Sequence, residues 1–319
     1  MKKSIKLFLM TVLSVAILAG CANKTENTGG NAGANPETDS GKLNIVATTT
    51  MLADLAKELG GDKVEVTGLM GAGIDPHLYQ ASAGDVERMQ KADVVVYNGL
   101  HLEGKMGEVF EQLASQDKAI ISIEEGLDHG KLLDAEDEPG LHDPHIWFDV
   151  MIWKDAAKYL AEELSAVDAA NAETYKSNLE SYSKELDELD SYIKNRAAEI
   201  PKESRVLVTA HDAFRYFGKA YDIEVRGLQG ISTEAEAGTS DVSELADFIV
   251  DKKIKAIFVE SSVPTKTVEA LQASVKAKGF DVQIGGELYS DSLGDSGTDA
   301  GTYIGTLKAN IDTIVDALK

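Results

Sequence analysis

The chain has 319 residues, 43% of them hydrophobic, with 54 acidic against 31 basic side chains and a formal net charge of −23 at pH 7. That length suffices for two domains of ordinary size, and so acidic a surface argues against nucleic acid and anionic lipid as partners. Cys21 is the one cysteine, which excludes an intramolecular disulfide.

Residues 1–20 read as a signal peptide. MKKSIK is a short basic region, and LFLMTVLSVAILA is an apolar run too short for a comfortable membrane span. Leu18-Ala19-Gly20-Cys21 after such a run resembles a bacterial lipobox, which implies cleavage before Cys21 and lipid on its sulfur. An ordinary secretory signal with an incidental cysteine is the plainer alternative. Residues 21–42 then hold the lipidated Cys21 and a flexible tether, polar and rich in Gly, Asn and Thr, that buries no core. Removal of Lys2, Lys3 and Lys6 with the signal takes the charge to about −26.

Short β-branched runs next alternate with amphipathic stretches. Strands are predicted at 43–49, 64–69, 93–98 and 119–123, and helices at 51–59, 84–91 and 105–115. After residue 200 the alternation restarts, with strands at 205–210, 223–228, 256–261 and 281–286 and helices at 211–221, 241–252, 265–278 and 301–318. The pattern predicts an α/β fold of two lobes, 43–170 and 201–319, each with a mostly parallel β-sheet flanked by helices. Residues 171–200 between them contain neither Gly nor Pro. There Tyr175, Leu179, Tyr182, Leu186, Leu189 and Ile193 recur at steps of four and three, one apolar stripe on a helix. One long rigid helix of about 45 Å, closed by Pro201, therefore joins the lobes. A coiled coil is the alternative, but the stretch is under four heptads and its Ser and Lys flanks favour packing onto its own lobes. Lobes joined by a helix hinge less freely than lobes joined by strands.

Six histidines are present, and two follow Asp-Pro: DPHLYQ at 75–80 and DPHIWFD at 143–149. Either could be a turn in which Asp caps a bend and Pro fixes φ. His77 and His145 fall in loops of the first lobe. His211 follows the strand RVLVTA directly, where α/β folds place ligands. Asp291 lies past strand 281–286 in a Gly- and Ser-rich loop. The four are 68, 66 and 80 residues apart, so each comes from its own loop, two per lobe. Facing one cleft, three imidazoles and a carboxylate suit a divalent transition metal. Spacing alone is weak support, because no local pattern such as His-Glu-x-x-His is present. His211 could merely start a helix, and Asp291 could merely make a turn.

DPHLYQ, NGLHLEG (98–104), DPHIWFD, VTAHDAFRYFGKAY, EVRGLQGIST and LYSDSLGDSGTDAGTYIG occur in this order. Together, over about 43–318, the chain resembles the metal-binding lipoproteins (substrate-binding proteins) of manganese/zinc ABC importers. The resemblance implies two α/β lobes, a rigid linking helix and one metal ion in the cleft as cargo, with ligands on His77, His145, His211 and Asp291. It also implies an ABC transporter permease with a cytoplasmic ATPase as partner, a monomer, and a lipid-anchored location on the extracytoplasmic face of the bacterial cytoplasmic membrane. His101 lies in the family's pattern but not at a ligand position. His129 and His142 lie in an acidic loop that is shorter and poorer in histidine than in zinc-dedicated members. Many manganese members carry Glu where this chain has His211, yet the flanking residues are most similar to manganese importers that use His there. Mn²⁺ is therefore the expected cargo, with Zn²⁺ uptake as the alternative.

The implied mechanism is capture and hand-over without a chemical step, and the Gly-rich segment 294–301 is expected to let the Asp291 arm move. Two other readings belong to different classes. A zinc hydrolase needs an open coordination position and a general base; Glu260, at the end of AIFVES, is the candidate, though a structural acid closing a strand is the plainer role. A surface adhesin is the other, and nothing in the acidic surface specifically supports it.

Overall fold

Val94-Val95-Val96 is β-branched throughout and buried throughout, as a strand covered on both faces must be. It forms β3 (Val94–Tyr97) at the centre of a parallel sheet with β1 (Leu43–Ala47), β2 (Val64–Gly68) and β4 (Ala119–Ser122), in the order β2-β1-β3-β4. Ile45 pairs with Val66 on one side and Val94 on the other. Chain order reverses between β1 and β3, so the loops leaving those strands diverge and open a crevice at the carboxyl edge. The computed structural model describes residues 41–135 and 139–319, all within one compact unit. The expected signal peptide, Cys21 and all but the last two residues of the tether lie outside the described residues. No helix among the described residues is long and apolar enough to cross a membrane.

The helices of this half begin where their caps dictate. α1 (Thr50–Gly60) starts after Thr49, whose hydroxyl accepts the Leu52 amide, and α2 (Ala83–Lys91) starts with a reciprocal Ser82–Asp85 capping box. α3 is Gly107–Ala114. α4 (Val150–Val167) is a helix the sequence reading leaves without an element. Asp149 caps it, accepting the Met151 and Ile152 amides, and it buries Ile152, Trp153, Ala156, Leu160 and Leu164.

The joining helix is α5 (Ala172–Ala197), 26 residues and about 39 Å long. It stops short of the predicted end because Pro201 disfavours the α conformation just before it. Its stripe of Tyr175, Tyr182, Leu186, Leu189 and Ile193 is buried, each Leu or Ile contributing about 1.5–3 kcal/mol.

In the second half, β5 (Val206–His211) pairs in parallel with β6 (Glu224–Gln229), and β7 (Ala256–Glu260) with β8 (Gln283–Leu288). β5 lies beside β7. The strands thus form two parallel pairs side by side; at the seam the His211 amide donates to the Glu260 carboxylate rather than to a backbone carbonyl. α6 (Arg215–Tyr221) starts four residues later than predicted. Residues 211–214 are spent passing over β6, where a Cβ on Gly227 would lie 2.5 Å from the Asp212 nitrogen, so only glycine fits. α7 (Thr239–Lys252), α8 (Lys266–Ala277) and α9 (Tyr303–Leu318) complete the half.

α5 packs on α1 and α4 and also on α9, so the largest hydrophobic cluster runs unbroken from Ile45 to Leu318. The Tyr192 hydroxyl and Arg196 Nε both donate to Asp312 of α9, at 2.8 and 2.7 Å. The helix is thereby a shared wall of the core, which holds the carboxyl edges of both halves face to face.

Candidate metal centre

The two Asp-Pro-His turns are built alike but wired differently. Asp75 Oδ1 accepts the His77 amide at 2.9 Å, and Asp143 Oδ1 accepts the His145 amide at 3.0 Å. Asp143 Oδ1 also takes the ring Nδ1 of His145 at 2.7 Å, which places the ring proton there and leaves Nε2 as the free lone pair. Asp75 instead reaches across to the second half, where Thr233 Oγ1 donates to its Oδ2 at 2.6 Å. The rest of DPHIWFD also has work. Trp147 Nε1 donates to the Ser290 carbonyl at 3.0 Å, beside Asp291, and Asp149 caps α4.

His211 is the last residue of β5. Its amide donates to Glu260 Oε1 at 2.9 Å, and its Nδ1 lies 2.5 Å from Glu260 Oε2. Asp291 follows β8 by three residues on a loop pinned to the first half: Gly73 N donates to Ser292 Oγ, and Leu293 N to Thr50 Oγ1, both at 2.8 Å.

These four side chains converge. His77 Nε2 and His145 Nε2 are 3.3 Å apart, and Asp291 oxygens lie 3.2 Å from His211 Nε2, 3.5 Å from His145 Nε2 and 3.9 Å from His77 Nε2. One ligand atom from each falls within 4.8 Å of all the others. For comparison, tetrahedral bonds of 2.0–2.1 Å put ligand atoms about 3.3 Å apart. His145 and His211 are fully buried, Asp291 is 1% exposed and His77 4%. His211 Nε2 and both Asp291 oxygens are buried without a hydrogen bond. A protein leaves such atoms unsatisfied only at a cost of about 1–3 kcal/mol each, and a shared cation is what would satisfy all three at once.

Burial, aided by the neighbouring imidazoles and opposed by Asp291, pushes His77 down to about 3, so it is neutral and ready to ligate. Burial also disfavours charge on His211, but the Asp291 and Glu260 carboxylates outweigh it and hold this imidazole well above its ordinary value. Burial acts to raise Asp291, and the three imidazoles outweigh it and hold the carboxyl far below the usual range.

The structure brings the four residues named from the sequence together in one cluster, and the other histidines lie outside it. His101 is exposed, and His142 sits 3.4 Å from Asp134 in a separate pair. Two further residues take a role the sequence reading did not give them, although Glu260 is named there as a candidate base or a structural acid. Asp143 and Glu260 each orient a candidate ligand through its Nδ1. The only signal for Glu260 was its position, a carboxylate ending a strand parallel and adjacent to β5. With both oxygens engaged by His211 and 2% exposure, Glu260 has no face left to activate water as a hydrolase base would. Glu260→Gln is expected to weaken Mn²⁺ affinity about 10–100-fold at unchanged stoichiometry, read by calorimetry; an unaltered Kd would show that the contact does not tune His211.

The chain matches the family described as ZnuA, zinc-uptake complex component A, periplasmic, over residues 45–317. It is 48% identical over 278 residues to the zinc-binding protein TroA of Treponema pallidum, covering 87% of this chain and 89% of that one. It is 45% identical over 278 residues to the manganese-binding lipoprotein MntA of Bacillus subtilis, covering 87% and 90%. The solved structure of the periplasmic zinc binding protein TroA superposes with a TM-score of 0.85 over 87% of this chain and 99% of that one, at 48% identity.

Proposed function

Because the chain belongs to the family of the periplasmic zinc-uptake component A, we propose that it is an extracytoplasmic solute-binding lipoprotein that captures a divalent transition metal and delivers it to an ABC permease driven by a cytoplasmic ATPase. The observation that carries this reading is the buried convergence of three imidazole nitrogens on a carboxylate whose oxygens have no other partner. His77, His145, His211 and Asp291 are the ligands. Residues 43–170 and 201–319 are the two lobes, and 171–200 the linking helix. The protein acts as a monomer without a chemical step, held by lipid on Cys21 at the outer face of the cytoplasmic membrane.

Mn²⁺ is the proposed cargo. Asp291 Oδ1 faces His145 while Oδ2 faces His211 and His77, and neither oxygen has a hydrogen-bond partner, so the carboxylate brings hard oxygen to the centre. Structural zinc closes at four, tetrahedrally, whereas carboxylate oxygens suit Mn²⁺. Intrinsic affinity still rises toward Zn²⁺, so selection for Mn²⁺ depends on geometry, on failure to release zinc, or on supply. Titration of metal-free protein with Mn²⁺, then with Zn²⁺ in competition, tests the assignment beside His211→Ala. The expected result is tight one-to-one Mn²⁺ binding that the variant loses. Tight Zn²⁺ with Mn²⁺ no better than millimolar would make the protein a zinc carrier.

A further inference from the structure

We propose that the metal ion reaches the buried centre through the cavity over His77, and that His101 and His142 on its walls are relay ligands that pass the ion inward; this inference rests on the capture reading above. The cavity holds about 260 Å³ and is lined by His77, His101, Gly104, Lys105, His142 and Glu234 among others. His77 is the most exposed of the four clustered residues, and it is the one that forms part of this wall.

The wall is built with strain. Gly99, Leu100 and His101 adopt φ of 78°, 54° and 64°, three successive residues in the left-handed region, two of them with side chains. Such positions cost about 1–3 kcal/mol each and persist only where their surroundings enforce them. Here Glu124 Oε2 accepts the Leu100 amide at 2.8 Å, and Glu103, itself buried, accepts the amides of Asn98 and Gly99 at 2.9 and 3.3 Å. The loop so held carries His101, exposed, on the cavity rim. On the facing loop His142 Nδ1 makes no hydrogen bond and lies 3.4 Å from Asp134 Oδ1, an imidazole beside a carboxylate. Lys105 of the first half and Glu234 of the second approach to 3.7 Å over the same space, so a cation passing through meets a neutralised pair and not a bare ammonium.

The chemistry supplies the reason for a relay. A hydrated divalent ion must shed water before it enters a centre this buried, and stripping charge of its solvent in one step is costly. Single imidazoles along the way replace waters one at a time and bind too weakly to retain the ion. Such groups lower the barrier in both directions, so they alter rates and leave the equilibrium constant alone.

The test is stopped-flow Mn²⁺ binding to metal-free protein and Mn²⁺ release to a chelator, followed by the emission of Trp147, whose ring lies 5.3 Å from that of His145. Gly104→Phe puts a bulky ring at the wall of the passage, at a position where an added Cβ meets nothing within 4 Å. It is expected to slow association and release alike by about tenfold or more, with Kd unchanged. His101→Ala combined with His142→Ala is expected to slow both about threefold to tenfold, again at constant Kd. Unchanged rates in Gly104→Phe would overturn the passage, and unchanged rates or a weakened Kd in the double variant would overturn the relay. A parent protein that bound no Mn²⁺ would instead overturn the capture reading and this one with it.

Discussion

Asp291→Asn is expected to raise the Kd for Mn²⁺ by about two to three and a half orders of magnitude, corresponding to about 3–5 kcal/mol. The substitution keeps the shape of the side chain and removes the one negative charge among the four clustered groups. Neither carboxylate oxygen makes a hydrogen bond in the metal-free protein, so no bond of the scaffold is lost. The loop itself is held by Ser292 and Leu293, which the change leaves alone. The metal-free variant should therefore still fold, but it loses the attraction between Asp291 and the imidazoles around it and is expected to melt below the parent. The stabilisation conferred by ligand at a hundred times the parent Kd, about 2.7 kcal/mol, should disappear. Calorimetry and thermal melts with and without Mn²⁺ read the two effects separately. A Kd within tenfold of the parent would mean that Asp291 is not a ligand, and the centre would have to be redrawn around the histidines alone.

The candidate centre was more legible than the architecture around it. His77 and His145 stood out because Asp-Pro-His occurs twice in a chain poor in histidine, and His211 because it closes a β-branched strand. What could not be read was the wiring behind them. Asp143 grips the ring of His145 while Asp75, in the same motif, turns away to Thr233, a difference made by what packs against each loop and invisible in three identical letters. Glu260 required knowing that β7 lies beside β5, a non-local fact. α4 was hidden for another reason. It opens Val150-Met151-Ile152-Trp153, an apolar run without the 3.6 period, and its cap Asp149 reads as the tail of the histidine motif. The eight strands of the described residues were all recognisable: β1, β3, β5 and β7 as largely buried apolar runs, and the more exposed β2, β6 and β8 by their place in the βα alternation. That the second four fall into two pairs was not, since which backbone groups pair across the β5–β7 seam is a non-local fact.

The same wiring sets how binding responds to pH. His77 is neutral throughout the physiological range, so protons do not compete with the metal there. His211 is different: despite burial, Asp291 and Glu260 hold it protonated in the metal-free protein. Metal binding must therefore displace that proton, and the apparent Kd for Mn²⁺ is expected to rise as pH falls from about 7.5 to about 5.5. Calorimetry in buffers of different ionisation enthalpy should count that proton directly. A Kd constant over this interval would contradict a protonated His211 at the centre. Stability follows with opposite sign in the metal-free protein. His211 is raised in the fold, so its contribution is complete below its unfolded value of about 6.5 and is lost as pH rises through the folded value. Asp291 is depressed, so its contribution is present above about 3.8 and is lost as pH falls through its folded value. Metal-free protein should thus be steadiest between about pH 4 and 6.5, and the gain in melting temperature on adding Mn²⁺ should widen as pH rises. Proton and metal are then alternative occupants of one cluster: the proton on His211 keeps the buried carboxylate compensated while the centre waits, and its departure leaves the third imidazole free to bind.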